Sequence, residues 1–266
     1  MRIGILSASK EEIEHILEDL EERSRVTIGS RDYFEGSLYG TDVVLNVSGW
    51  AKVASASATT AMIMRFGVDS IIFCGVCGAA EPALNIGDII IGTKFVQHDI
   101  DAEPIFAKYQ VPPLGISCFK MGPDFKKEPT FFEADVHLER AAFEAAQNFV
   151  SQKLHNDIPT ELLKQFNIKN PGVYEGLIAT GDQFIKSAEK MTQLRTELPD
   201  LKCVEMEGAS VAQVCNYHSV PFSCIRIISD RADHSSKIDF EAFITRITSY
   251  FSRGIVREML TNLKNS

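Results

Sequence analysis

The sequence predicts one α/β domain in which many strands alternate with helices, and three observations carry that expectation. Short apolar runs of strand length, RIGILSA at 2–8, SIIFC at 70–74 and FSCIRII at 222–228, are separated by helical patterns of ten residues or more. SIIFC is apolar at every position, as expected of a strand covered on both faces. Acidic, glycine and aromatic residues then gather where these runs end, which is where open α/β sheets bind their ligands.

The chain has 266 residues with 45% hydrophobic and 24% charged side chains, enough to bury a sizeable core. It shows no internal repeat, low-complexity tract or linker, so residues 1–266 read as a single domain. A formal net charge of −9 argues against a nucleic-acid or anionic-membrane partner, since both need a basic face. MRIGILSASKEE has no extended apolar stretch before its acids, and no run reaches the ~18 residues of a membrane span. A cytoplasmic protein is expected. Six cysteines (74, 77, 118, 203, 215 and 224) lie in apolar runs and read as small buried hydrophobes. Cys74 and Cys77 are spaced as CxxC, but no second ligand pair stands at zinc spacing, so neither a metal nor a cofactor is implied.

In chain order, strand 2–8 leads to Ser9, a helix N-cap, and to a helix over Lys10–Leu20 with Ile13, Ile16, Leu17 and Leu20 on one face. Glu11 and Glu12 fall in its first turn, where a carboxylate complements the helix dipole or points back over the strand end. Strands follow at Tyr33–Leu38 and Asp42–Ser48, turning at Tyr39-Gly40, with an Ala/Ser-rich helix over Ala54–Met64. After strand 70–74, residues Gly75–Ala80 read as a glycine loop. More strand follows at Asp88–Ile91 and Lys94–Gln97, then His98-Asp99-Ile100-Asp101. Prolines 104, 112, 113, 123 and 129 break up any pattern from about 102 to 133, so a long, aromatic-bearing loop is expected there as a pocket lid or subunit contact. A helix over Leu138–Leu154, a strand over Gly172–Ala179, a helix near Ser187–Leu198 and a closing helix over Phe240–Leu263 complete the chain.

The most informative stretch is Cys203–Asp233. Glu205 and Glu207 flank Met206 at the start of a helical run, and FSCIRII then ends at Ser229-Asp230. Taken singly, such acids are usually caps or solvated turns. Together with Glu12, Gly75–Gly78 and Asp182–Phe184 at other strand ends, they make a site.

The segments SASKEE, SGWAKV, CGVCGAA, NIGDIII, HDID, ATGDQFI, VEMEGAS and IRIISDRAD occur in an order that resembles the nucleoside phosphorylase/hydrolase superfamily, and within it the 5′-methylthioadenosine/S-adenosylhomocysteine nucleosidases. VEMEG with ISDxAD is the specific part. The resemblance spans nearly the whole chain outside about 103–135 and implies a twisted, mixed central sheet flanked by helices. It implies a water held between Glu12 and Glu207 and faced by Arg226, with Asp230, supported by Ser229, protonating purine N7. Phe184 would stack on the base and Ile185 read its edge, while Glu205, Met206 and Glu207 surround the ribose. Val76 and Gly78 from the glycine segment and Trp50 at the 5′ pocket complete the contact set. A homodimer whose HDID region closes the neighbour's 5′ pocket is also implied. The chemistry agrees: glycosidic cleavage builds an oxocarbenium ion and a poor purine leaving group, so an acid at N7 and a carboxylate by the water each contribute typically ~10²–10⁴-fold. An aspartate acting as that acid needs burial and nearby negative charge.

This chain departs from the family pattern where SGIGKV reads SGWAKV, where Val76 stands in place of a serine, and in the segment after HDID. The 5′ substituent is therefore open among methylthio, homocysteinyl and the bulky aromatic group of 6-amino-6-deoxyfutalosine. Two other functions compete. A purine nucleoside phosphorylase would need an anion site beside C1′, which Glu12 and Glu207 oppose. A non-catalytic nucleoside-binding protein would have no use for an acid, a base and a held water.

Overall fold

The computed structural model describes residues 1–104, 108–109, 131–230 and 236–265, with 236–239 and 265 as backbone alone. β1 (Arg2–Ser7) is buried at every position after Arg2 and runs into α1 (Lys10–Glu18), whose N-cap Ser9 is extended. The chain then makes three strands, β2 (Glu21–Ile28), β3 (Arg31–Leu38) and β4 (Thr41–Val47), before α2 (Lys52–Phe66), which Gly67 ends at φ +61°. β5 (Ser70–Ala79) is buried throughout, followed by β6 (Ile89–Gln97) and the two-residue β7 (Phe132–Glu133). Next come α3 (Val136–Asn148), a π-helical turn at Phe149–Lys153, and the short α4 (Leu154–Asp157) and α5 (Thr160–Gln165). β8 (Val173–Thr180), α6 (Ala188–Glu197), β9 (Leu201–Glu205), α7 (Gly208–His218) and β10 (Phe222–Asp230) alternate before α8 (Ser236–Arg246) and α9 (Thr248–Asn265).

All ten strands belong to one mixed sheet in the order β10-β6-β8-β9-β5-β1-β4-β3-β2, with β7 on β6. β10 also pairs in parallel with β5, so five strands close on themselves while β1 to β4 extend as a flap. One face packs Ile13, Ile16 and Leu17 of α1 with Ala142 of α3 and Phe251 and Ile255 of α9; the other packs Ala58 and Met62 of α2 against Ala209 and Val211 of α7. Helices on both faces and a mixed sheet match the expected class. No helix among the described residues is long and apolar enough to cross a membrane.

Several local expectations change. Gly75–Ala79 is not a loop but the last half of β5, hydrogen-bonded in register to β10 and β9. The two runs around Gly92-Thr93 are one strand, β6, with a register shift there. The closing helix is broken at Ile247, where Thr248 bonds the Phe243 carbonyl through its hydroxyl, a local competitor of helix geometry. The helix expected over 138–154 ends as α at Asn148, and the ring of Phe149 lies where a side chain at Gly254 of α9 would stand. In the 102–133 segment, Tyr109 packs on α6 and Phe132 on the sheet, while Ile105, Phe106, Phe119 and Phe125 lie outside the described residues. Cysteines 74, 77, 203, 215 and 224 are free and buried.

Candidate active site

The capping geometry of α1 decides the position of Glu12. Its carboxylate folds back over the end of β1, where Oε2 accepts from Ser7 Oγ at 2.6 Å, the Ser9 amide at 2.9 Å and the Ala8 amide at 3.0 Å. Oε1 accepts from the Val76 amide at 2.9 Å. Glu12 is 3% exposed, so a solvated first-turn charge does not describe it. Gly75 makes this possible: a Cβ there would stand 2.5 Å from Glu12 Oε1 and 3.4 Å from Arg226 Nη1. The carboxylate and the guanidinium thus converge over a strand position that must lack a side chain.

Arg226 lies in the middle of β10, 1% exposed, with its guanidinium carbon 4.1 Å from the centre of the Phe73 ring. It reaches the site from beneath the cleft floor. Its Nη2 donates to Glu205 Oε2 at 2.7 Å, an ion pair buried on both sides. Burial works against the charge on Arg226, but the Cys224 thiol and the carboxylates of Glu205, Glu207 and Glu12 hold its pKa well above the ordinary value.

Glu205 Oε2 also accepts the amides of Glu207 at 3.0 Å and Gly208 at 2.6 Å, and Oε1 takes the Thr180 hydroxyl. Its carboxylate therefore ties β10 and the N-terminus of α7 together, so its polar bonds go to the protein even though it lines the cleft. Glu207 is the N-cap of α7, and its Oε1 accepts from the Ala51 amide at 2.8 Å. Burial, and then the charge of Glu205, push its pKa up to about 8, against the pull of Arg226 and the Ala51 amide.

Glu12, Glu205 and Glu207 line a cleft at the rim where β1, β4, β5, β8, β9 and β10 end. Asp230, 3% exposed, closes β10 on the cleft wall, with Ser229 Oγ 2.9 Å from its Oδ2 and 3.3 Å from the Cys77 carbonyl. Val76, Gly78, Phe184, Ile185, Met206 and Trp50 line the same space, so every predicted site residue except Arg226 borders it. Nothing in the sequence points to Phe240 and Ile244 of α8 in the lining, or to Ala8 and Val204. Phe240 stands edge-on to Phe184 at 5.4 Å and to Trp50 at 6.1 Å between ring centres. An amphipathic helix betrays its apolar face but not which cleft that face overlooks, so periodicity could not have found Phe240. No cluster of His, Cys, Asp or Glu suited to a metal ion occurs among the described residues.

A cleft lined by the acids Glu12, Glu205, Glu207 and Asp230 and by the ring of Phe184 is that of an enzyme, and the chain matches the phosphorylase superfamily over residues 2–261. It is 34% identical over 264 residues to a 5′-methylthioadenosine/S-adenosylhomocysteine nucleosidase of Anoxybacillus flavithermus, with 99% of both chains covered. The Neisseria meningitidis nucleosidase of the same name, solved with methylthio-immucillin-A, superposes with a TM-score of 0.77 at 31% identity, covering 98% of this chain and 99% of that one. A futalosine hydrolase of Helicobacter pylori superposes at 0.76, also 31% identical, with 98% of each covered. The chain belongs to this family of nucleosidases.

Proposed function

We propose that the protein hydrolyses the N-glycosidic bond of a 5′-substituted adenine nucleoside and releases adenine. The observation that carries this reading is the convergence of Glu12 and Arg226 over the bare face of Gly75, beside a cleft that Glu12 and Asp230 both line. A water held there would attack C1′ and give its proton to Glu12 as the C1′–N9 bond breaks. The bonding pair leaves with the purine, and a proton from Asp230 reaches N7, so adenine departs neutral. Ser229 would orient this acid: its hydroxyl donates to Asp230 Oδ2 at 2.9 Å. Glu207 and Met206 would take the ribose hydroxyls, Phe184 the purine face and Ile185 the base edge. Glu205 acts behind them by fixing Arg226, and Val76 and Gly78 form the floor.

The 5′ group would meet Trp50 and Phe240, an aromatic corner that accommodates either a thioether or a flat aromatic substituent. Val53 beside it is 82% exposed, and Trp50 is 57% exposed, which suits a homodimer contact next to the 5′ opening. The reading sets the enzyme in the cytoplasm, where thiols such as its buried free cysteines stay reduced. Incubation with methylthioadenosine, S-adenosylhomocysteine, 6-amino-6-deoxyfutalosine and inosine, with and without phosphate, tests the proposal by chromatography of the released base. Adenine release independent of phosphate is expected. Dependence on phosphate would make the protein a phosphorylase, and no release from any of the four would leave a binding protein.

A further inference from the structure

The turn that carries Trp50 is held in a conformation its residues do not favour. Ala51 sits at φ +73°, ψ 171°, two residues after Gly49 at φ +81°. An L-residue with positive φ is strained unless its surroundings fix it. The strained peptide has a task, because the Ala51 amide donates to Glu207 Oε1. What holds it lies one residue on. Lys52 Nζ bonds Asp99 Oδ1 at 2.5 Å, both side chains being largely buried, and the Lys52 amide donates to Asp182 Oδ1 at 2.9 Å. Asp182 completes the ring: its own amide donates to Asp99 Oδ2 at 2.7 Å. Asp99 follows β6, Asp182 follows β8 and Lys52 opens α2, so three strand ends or helix starts are joined through five charged or amide groups. Behind the ring, His98 is buried with its imidazole where a side chain on Gly181 would stand, so the loop to Phe184 is packed from below as well.

We propose that Lys52, Asp99 and Asp182 form a strap that locks the Trp50–Ala51 turn to the purine loop at 181–185, and so positions the Ala51 amide on Glu207 and Phe184 on the base. They are positioning residues: none of the three lines the cleft. The strap makes the ribose carboxylate and the purine ring parts of one rigid body, with Asp99 as the shared acceptor. Its catalytic half rests on the nucleosidase reading; its mechanical half does not.

Trp50 is the only tryptophan in the chain and sits inside the strapped turn, so its fluorescence reports the strap without any substrate. Lys52→Met keeps the aliphatic stem and removes the ion pair. The expected result is lower Trp50 emission anisotropy and an acrylamide quenching constant raised about 1.5-fold or more. At saturating substrate and well below the variant's Tm, kcat should fall about ten- to a hundredfold, the cost of a misplacement near 1 Å. Lys52→Arg, which restores a cation and donors, should recover most of both signals. If Lys52→Met does not fold, Asp99→Asn, which keeps an acceptor for the Asp182 amide, is measured in the same way. Unchanged Trp50 signals would overturn the strap. A loosened Trp50 with wild-type kcat would overturn its positioning role. If the wild-type protein releases adenine from no nucleoside, the nucleosidase reading fails, and the strap is still decided by the Trp50 signals.

Discussion

Glu207→Gln is expected to make the protein more stable in alkaline solution, and the effect should vanish in acid. The wild-type carboxyl is buried beside Glu205, which raises its pKa from the ordinary 4.5 to about 8. In the unfolded chain the same group ionises near its ordinary value. Between the two, the folded state holds a proton that the unfolded state has released, so wild-type stability falls as pH rises through this window. At about 1.4 kcal/mol per pH unit the full loss is about 5 kcal/mol by pH 8, which is a large part of a typical domain's stability. Glutamine keeps an oxygen for the Ala51 amide and has no proton to lose. Urea unfolding of both proteins from pH 5 to pH 8.5 should show a stability difference that grows steadily in favour of the variant. A difference that does not change with pH would refute the idea that burial of this carboxyl opposes folding.

Gly75→Ala places a methyl group 2.5 Å from Glu12 Oε1 and should lower kcat at least about a hundredfold while the far-UV spectrum stays native; near-normal turnover would remove the held water from that spot. Asp230→Asn should cost about 10²–10⁴-fold in kcat with adenine affinity retained in a binding titration, and wild-type-like turnover would exclude it as the acid. Trp50→Ala should change kcat/KM for methylthioadenosine and aminodeoxyfutalosine unequally, by about tenfold between them, and equal effects would take Trp50 out of the 5′ pocket.

The strands and helices that could be read in advance are those with one clear burial pattern. β1, β10, α1, α2, α6 and α7 show apolar periodicity because one or both of their faces meet the core. β2 was missed for the opposite reason: EERSRVTI is exposed at its first five positions, as the outermost strand of the flap, so nothing in its side chains alternates. The glycines at 75 and 78 resemble a turn when read locally. Gly75 stands in a strand where Glu12 and Arg226 approach too closely for a side chain, a tertiary fact with no local signature. Glu12 shows the same limit in the site. Its first-turn position is visible in the sequence, but the four donors that turn it inward come from Ser7, Ala8, Ser9 and Val76, and Val76 is distant in the chain. Glu205 and Glu207 read alike as a pair, yet one faces Arg226 and the other the Ala51 amide, and that division depends on β10 and α2 packing from opposite sides.

The buried pair also bears on why water, rather than phosphate, should be the nucleophile. Over Gly75 stand the Glu12 carboxylate and the Arg226 guanidinium, the latter already bound to Glu205, and Glu205 and Glu207 line the same cleft. The guanidinium is thus committed to a carboxylate, in a cleft lined by more acids than cations. A phosphate dianion entering such a space would find no cation to spare and would be repelled at close range in a medium of low polarity. Water enters without that cost. As C1′ becomes cationic, negative surroundings of this kind would stabilise it. Carboxylates fixed in the resting site and engaged only as that charge develops would strengthen their interaction selectively during the reaction, which is the condition for raising kcat rather than merely tightening substrate binding.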